Sequence, residues 1–136
     1  ELRLILPPRH PLAGRSKFRW KDLEGERIVG FEAGSAVREV LDRAAAGAGV
    51  ALDVVMELRS IESIKSMVAA GVGIGFVSRF ALRQGEGAVC KDGRLVRRMA
   101  VVRRKDRTPG PAAAEFEREL AASLGARSVG AAARTA

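Results

Sequence analysis

Hydrophobic and polar positions along the 136-residue chain alternate between two periods, one typical of strands and one typical of helices. Short apolar segments bounded by turn residues predict buried strands. These strands cover 2–6, 27–31, 52–58 and 74–77. Apolar residues three or four positions apart predict helices that follow Ser35 and Ser60, and a last helix that begins at Pro111. Strands therefore alternate with helices over most of the chain.

The last part of the chain carries three further local signals. The pair Asp92-Gly93 suits a tight hairpin turn, so strands are predicted over 89–91 and 95–103 on either side of it. A short helix is predicted over 79–84. Residues 125–136 are small and polar without an apolar stripe, which predicts a disordered tail.

This alternation predicts an α/β fold in which a mostly parallel sheet is flanked by helices. Ligands of such sheets bind at the carboxyl ends of the strands, near helix N-termini. The turn from Phe31 to Arg38 is therefore the candidate site, because free N–H groups and the helix dipole attract an anion there. Ser35 is also a favoured N-cap, and the spacing alone leaves open the alternative that it only caps its helix.

Basic residues outnumber acidic ones, with 24 Lys and Arg against 16 Asp and Glu and a formal net charge of +8. Much of the excess lies in one stretch. Its members are Arg94, Arg97, Arg98, Arg103, Arg104, Lys105 and Arg107. No aromatic residues alternate with them, so a surface that stacks single-stranded nucleic acid is not predicted. We interpret the stretch as a solvated strand pair and loop, with contact to DNA phosphates or an acidic partner surface as the alternative.

The single cysteine and single histidine exclude several kinds of chemistry. Cys90 has no second cysteine for an internal disulfide, and Cys90 and His10 fall short of the three or four ligands of a common metal site. Nucleophilic catalysis would have to use His10, which lies between Pro8 and Pro11 in a predicted surface loop. The carboxylates show no spacing typical of an acid–base pair. We therefore predict a protein that is not an enzyme and uses no metal or cofactor.

Gly71, Gly73 and Gly75 resemble a phosphate-binding loop in composition but not in order. A dinucleotide-binding loop runs from strand through glycines to helix, whereas these glycines run from helix to strand, and the Walker lysine is absent. The structural interpretation is that Gly71 ends a helix in the left-handed conformation. Gly73 and Gly75 then let the chain turn closely into a buried strand.

Four segments resemble LysR-type transcriptional regulators, in the order in which that family carries them. Residues 4–13 (LILPPRHPLA) resemble its strand and "HPLA" segment, and residues 21–26 (KDLEGE) resemble its "DL-x-GE" step. Residues 60–77 resemble the helix–glycine–strand element that marks the family best, and residues 97–120 resemble its closing strand and C-terminal helix. The resemblance covers roughly residues 2–124.

The resemblance implies a two-lobed sensor like a periplasmic binding protein, truncated here at its N-terminus. It implies that 1–6 form a hinge strand, that 7–94 form the second lobe, and that 95–124 form a return strand and helix belonging with the first lobe. A small effector would bind between the lobes and change how a dimer or tetramer sits on DNA. DNA would be contacted only through a helix-turn-helix upstream of Glu1.

The resemblance also implies a cytoplasmic protein without membrane contact, and no apolar run approaches the roughly 18–20 residues of a membrane helix. The same fold leaves one alternative, a lobe of a periplasmic solute-binding protein that serves a transport system. The closing segment from Val101 to Phe116 favours the regulator.

The predicted effector contacts lie at the ends of the strands. Backbone N–H groups after Gly34 and the Ser35 hydroxyl would hold an anionic group, and Arg38 would add charge if it faces the cleft. A phenylalanine at one of two positions would supply an apolar wall. Ser78, where the family often has proline, would either contact the ligand or only cap the short helix after it. The full predicted set is Phe31, Ala33, Gly34, Ser35, Arg38, Phe76 and Ser78.

Overall fold

The computed structural model describes residues 1–102 and 106–124. The chain divides into two compact units, Glu1–Met99 and Ala100–Ala136. The predicted disordered tail over 125–136 lies outside the described residues. The sequence predicts that 7–94 form a second lobe and that 95–124 return to a first lobe. This assignment stays a prediction.

The first unit contains six strands and two helices within its described residues. They are β1 (Leu2–Ile5), β2 (Lys17–Phe18), β3 (Arg27–Phe31), α1 (Ala36–Gly47), β4 (Asp53–Leu58), α2 (Ile61–Ala69), β5 (Ile74–Ser78) and β6 (Val89–Cys90). Single 3-10 turns cover Trp20–Leu23 and Arg79–Ala81, and the second of them stands where a short helix over 79–84 is predicted. The predicted alternation of strands and helices is confirmed.

The main sheet has four strands in the order β1-β5-β3-β4. Strand β3 runs parallel to both of its neighbours, whereas β1 runs antiparallel to β5. A second, two-stranded sheet pairs β2 with β6 in parallel. The prediction of a mostly parallel sheet is therefore confirmed. The parallel strands bring the residues that follow Phe31, Leu58 and Ser78 to one edge of the main sheet.

Helices α1 and α2 cover opposite faces of this sheet. Val37 and Leu41 of α1 belong to one buried cluster, which also holds Ile28 of β3. Ile64 and Val68 of α2 belong to the other cluster, which holds the next residue of β3, Val29. Successive residues of a strand point to opposite faces, so one strand supplies both layers of the core.

Three aromatic rings form the centre of the first cluster. Trp20 stacks on Phe76 with ring centroids 5.6 Å apart, and Phe18 meets both rings edge-on at 5.9 and 5.8 Å. All three side chains are buried. Three of the six aromatic residues of the chain are thus concentrated in this cluster.

The ends of α1 follow from its sequence. The Ser35 hydroxyl caps the first turn by accepting a hydrogen bond from the N–H of Arg38 at 3.2 Å. At the other end Gly49 takes a positive φ of 71°, and the N–H of Val50 bonds to the carbonyl of Ala45 at 3.0 Å. This is the Schellman arrangement, which satisfies the last carbonyls of a helix. Both ends of the helix are thus fixed by residues adjacent to it.

The glycine-rich segment is a close-packing element, as the structural interpretation predicts. Gly71 ends α2 with φ of 82°. A β-carbon on Gly73 would lie 2.4 Å from the carbonyl oxygen of Arg27, and one on Gly75 would lie 2.9 Å from a methyl of Val68. Only glycine lets the chain pass this closely from α2 into β5.

The predicted hairpin around Asp92-Gly93 is wrong within the described residues. Residues 95–102 form no strand, and β6 pairs instead with β2. The Asp92 carboxylate accepts a hydrogen bond from the backbone N–H of Trp20 at 2.8 Å, so the turn is tied to the chain after β2. Leu95 is buried, and its carbonyl accepts from the N–H of Leu2 at 2.7 Å. These long-range bonds replace the local pairing that the turn sequence favours.

The described part of the second unit contains one helix, α3 (Pro111–Leu124). It begins at the predicted proline, whose missing N–H is not needed at the first helical position. Phe116, on its predicted apolar face, is 66% exposed.

Candidate functional site

The carboxyl edge of the main sheet brings together the segments that the sequence places at strand ends. Strand β3 is followed by the turn Glu32–Ser35, which we call the β3–α1 turn, and β4 is followed by Arg59 and Ser60. Because β3 and β4 are adjacent and parallel, the N-termini of α1 and α2 both open at this edge. Helix N-termini carry partial positive charge and free N–H groups, so this edge is suited to an anion.

The β3–α1 turn presents backbone donors to solvent. Gly34 is exposed and takes a positive φ of 80°, a conformation that side chains with a β-carbon rarely adopt. The N–H of Ser35 bonds back to the carbonyl of Glu32 at 3.2 Å. The N–H groups of Gly34, Ala36 and Val37 have no hydrogen-bond partner among residues 1–102 and 106–124. Three donors therefore remain for a ligand at this turn.

Ser35 performs the capping role that was left open on spacing alone. Its hydroxyl oxygen accepts from Arg38 and retains a hydrogen to donate. Ser60 caps α2 in the same way, accepting from the N–H of Ser63 at 3.5 Å. Capping and ligand binding are compatible, because the oxygen uses one lone pair and the hydrogen stays available.

Arg38 is held by carboxylates on both sides. Its Nε donates to Asp42 at 2.8 Å and its Nη1 donates to Glu57 at 2.8 Å. Nη1 also lies 3.4 Å from the carbonyl of Phe31. Burial lowers the pKa of Arg38, but the bonds to the two carboxylates more than offset it, so the pKa is raised above its ordinary value. The guanidinium therefore fixes the start of α1 to β4, and its charge is already matched.

Glu57 connects this ion pair to the turn. Its second oxygen lies 3.5 Å from the N–H of Ala33. One carboxylate on β4 thus orients both the turn and the first helical residues after it. Ala33 belongs to the predicted site, but its N–H donates a hydrogen bond to Glu57 in this structure.

Arg59 is a further candidate site residue, outside the predicted set. Its Nε donates to Glu32 at 2.7 Å, which links the two loops at the carboxyl edge. The Arg59 side chain is 85% exposed, and the hydrogen bond to Glu32 raises its pKa above the ordinary value. A basic residue directly before a predicted N-cap serine is the signal that would have pointed to it. Arg59 supplies a cation beside the two helix N-termini.

The two predicted aromatic contacts differ in accessibility. Phe31 is half-buried at the end of β3 and packs against both core clusters. Phe76 is only 1% exposed, because its ring is enclosed by those of Phe18 and Trp20. The structure therefore leaves Phe31 near the edge and places Phe76 in the core.

Ser78 lies at the end of β5, opposite Leu2 of β1. Its hydroxyl accepts from the N–H of Phe80 at 3.4 Å and caps the 3-10 turn after the strand. Phe80 itself is 71% exposed, with the Arg79 guanidinium 4.6 Å from the centre of its ring. Of the two roles predicted for Ser78, capping the turn that follows it is therefore the one for which this structure shows a hydrogen bond.

His10 and Cys90 take structural positions. His10 Nδ1 accepts the N–H of Leu12 at 3.1 Å, and Nε2 lies 3.1 Å from a Glu26 oxygen. Cys90 is buried, and burial raises the pKa of its thiol. Within the described residues no group of three or more His, Cys, Asp and Glu side chains is arranged to hold a metal ion.

Comparison with known proteins places this α/β lobe among ligand-binding domains of regulators. The family model described as LysR substrate binding domain matches residues 1–125. The chain belongs to this family, which is the effector-binding part of LysR-type transcriptional regulators and is not a family of enzymes. The predicted resemblance is confirmed, and the match favours a regulator over the lobe of a transport receptor.

Two similar proteins are described as probable RuBisCO transcriptional regulators. A probable RuBisCO transcriptional regulator of Cyanophora paradoxa is 42% identical over 85 residues, which cover 60% of this chain and 26% of that protein. A protein of the same description from Synechocystis sp. is 33% identical over 129 residues, covering 88% of this chain and 37% of that protein. The chain therefore spans well under half the length of these relatives.

A solved structure supports the same assignment. The CcmR regulatory domain of Synechocystis PCC6803, solved in complex with 2-PG, superimposes with a TM-score of 0.76 at 29% identity. The superposition covers 90% of this chain and 62% of that domain. Among the described residues, none of the helices has the length and apolarity needed to cross a bilayer.

Proposed function

We propose that this chain senses a small anionic metabolite, which binds at the carboxyl edge of the main sheet between this lobe and the first lobe of a whole LysR-type regulator. The observation that carries the proposal is the β3–α1 turn, where Gly34, Ala36 and Val37 present N–H groups without partners among the described residues. An anionic oxygen in this position would accept charge-assisted hydrogen bonds, which are stronger than neutral ones.

The surroundings of the turn support an anion rather than a neutral ligand. Arg59 lies beside the turn through its bond to Glu32, and it is largely exposed. A ligand carboxylate or phosphate would replace the Glu32 carboxylate as the partner of Arg59. Phe31, half-buried at the end of β3, would contact the apolar part of the ligand. The 2-PG complex of the similar CcmR domain supports a small ligand of this kind.

The roles of the remaining predicted residues follow from their contacts. Arg38 and Ala33 would keep the turn in shape through Glu57, and Ser35 would contribute its free hydroxyl hydrogen. Ser78 would act through the cap at the end of β5. Phe76 would act only by packing beneath the sheet.

Effector binding would be coupled to DNA through a shift between two arrangements of the lobes. A ligand that contacts both lobes binds one arrangement better, and it shifts the population by that difference in affinity. In the whole regulator, a dimer or tetramer would pass this change to a helix-turn-helix domain outside this chain. The coupling is allosteric if effector and operator DNA change each other's affinity by the same factor.

The test is a nuclear magnetic resonance titration of the 15N-labelled chain with 2-PG, and separately with inorganic phosphate. We expect saturable shifts that are largest at the amides of Gly34, Ala36 and Val37. The Gly25 amide, on the turn before β3 at the opposite edge of the sheet, serves as the internal control. Shifts that are absent at the β3–α1 turn, or that are equal at Gly25, would contradict the proposed placement.

A further inference from the structure

A second, basic pocket lies at the opposite end of α1 from the β3–α1 turn. It has a volume of about 590 Å³, and Trp20 and Leu95 are the two core residues in its wall. Gly47 and Ala48, at the C-terminus of α1, form one side of it. A helix of 12 residues is about 18 Å long, so a ligand in this pocket would not reach the β3–α1 turn.

Four cationic side chains surround this pocket, and only one carboxylate does. The cations are Arg19, Lys21, Arg43 and Arg94. None of them forms an ion pair within residues 1–102 and 106–124, whereas Arg3, Arg38, Arg59 and Lys65 all do. The carboxylate, Asp92, already accepts the backbone N–H of Trp20 at 2.8 Å. The side chains that line the pocket therefore carry a net positive charge.

Hydrogen bonds between distant segments fix the walls of the pocket. The bond between Asp92 and Trp20 joins segments 72 residues apart in sequence. Leu95 is tied to Leu2 of β1 through a backbone hydrogen bond of 2.7 Å. The carbonyls at the end of α1 are taken up by the N–H groups of Ala48, Gly49 and Val50. Fixed walls mean that a ligand would not need to order the backbone on binding, a cost that often limits affinity.

We infer that this pocket binds a second ligand, a small organic polyanion that carries two or more phosphate or carboxylate groups. Like charges held around one concavity repel each other, and a polyanion removes that repulsion while forming charge-assisted hydrogen bonds with the arginines. The pocket is separate from the proposed effector site, so the two ligands would bind independently or influence each other through α1.

Trp20 provides a direct readout, because it is the only tryptophan of the chain and it lines the pocket. The experiment is a titration of the chain with inorganic pyrophosphate, followed by Trp20 fluorescence at constant ionic strength. Constant ionic strength matters because salt screens exposed charges. We expect a saturable change in emission, whereas sodium chloride at matched ionic strength produces none.

Substitutions of the lining arginines test whether pyrophosphate binds in this pocket. The double variant Arg43→Gln, Arg94→Gln should weaken pyrophosphate binding by about tenfold or more, since each lost charge-assisted hydrogen bond weakens binding. Arg83→Gln removes the same charge from an exposed position outside the pocket and should leave the affinity unchanged. Ser35→Ala, at the proposed effector site, should also leave it unchanged. If the double variant does not fold, Arg94→Gln alone on the exposed turn provides the test.

Three results would overturn the inference. The first is a Trp20 emission that does not saturate with pyrophosphate, and the second is an affinity that is equal in the double variant and the parent chain. The third is binding of duplex DNA, but not pyrophosphate, that is lost in the double variant. That last result would make the pocket part of a DNA phosphate contact instead.

Discussion

The Glu57 carboxylate on β4 accepts a hydrogen bond from the Arg38 guanidinium on α1 at 2.8 Å, and its other oxygen lies 3.5 Å from the N–H of Ala33. One side chain on the sheet therefore orients both the β3–α1 turn and the first turn of the helix. The donors at the candidate site depend for their direction on a residue that would not itself contact a ligand.

Glu57→Gln should loosen the β3–α1 turn while the rest of the fold persists. The change keeps the size of the side chain but removes the charge opposite Arg38, and we expect a loss of about 1 kcal/mol in the free energy of unfolding. Amide hydrogen exchange at Ala33 should become faster. Asp53→Asn removes the same charge from the start of β4, where no described ion pair is present, and should change neither quantity. Unchanged exchange at Ala33 in Glu57→Gln would contradict this role.

Gly75→Ala should destabilise the lobe through overpacking. A β-carbon there would lie 2.9 Å from a Val68 methyl and 3.1 Å from an Ile64 methyl, and added volume in a packed core costs about 1–3 kcal/mol. Gly30→Ala on β3 is the matched control, because its β-carbon would meet only ordinary contacts at 3.7 and 3.8 Å. Urea unfolding measures both. Equal midpoints for the two variants would show that α2 moves aside at little cost.

Glu32 and Arg59 should have opposite effects on anion binding. Glu32→Gln frees the Arg59 guanidinium and should raise the affinity for inorganic phosphate, whereas Arg59→Gln removes the cation and should lower that affinity by about tenfold. Neither change should move the urea midpoint, since exposed ion pairs contribute little to stability. Calorimetry provides the affinities. If both variants shift the affinity in the same direction, the proposal that a ligand anion replaces Glu32 as the partner of Arg59 is wrong.

Cys90 should react slowly with thiol reagents and should make the fold sensitive to high pH. The thiol is buried, and burial raises its pKa in the folded chain above the unfolded value of about 8.5. The resulting stability is complete below the unfolded pKa and is lost as the pH rises through the folded pKa. Unfolding free energies measured across this window should fall in the parent chain and fall less in Cys90→Ser. Parallel pH profiles for the two proteins would contradict the prediction.

Local rules were sufficient for the elements that position the site. The caps at Ser35 and Ser60 were predictable because each serine acts on a backbone N–H three residues away. The glycines after α2 were predictable because their order along the chain excludes a phosphate loop. Four short segments, in the order in which the family carries them, were sufficient to predict the family that the match over residues 1–125 confirms.

Contacts between distant residues were not predictable in the same way. The hairpin at Asp92-Gly93 failed because Asp92 bonds to Trp20, 72 residues away. The ion pair of Arg38 with Glu57 spans 19 residues, and that of Arg59 with Glu32 spans 27. Periodicity and turn chemistry describe neighbours along the chain, so they carry no information on which charges the sheet brings together.

The central claim is tested most directly by measuring 2-PG binding to the whole regulator in which the β3–α1 turn has been altered. The double variant Gly34→Val, Ser35→Ala strains a backbone with φ of 80° and removes the cap and its hydroxyl. Gly14→Val is the control, because Gly14 has a similar φ of 83° in a loop away from this edge. We predict that calorimetry will show affinity at least about tenfold weaker in the double variant and unchanged in the control. Equal affinity in all three proteins would contradict the placement of the effector at this turn.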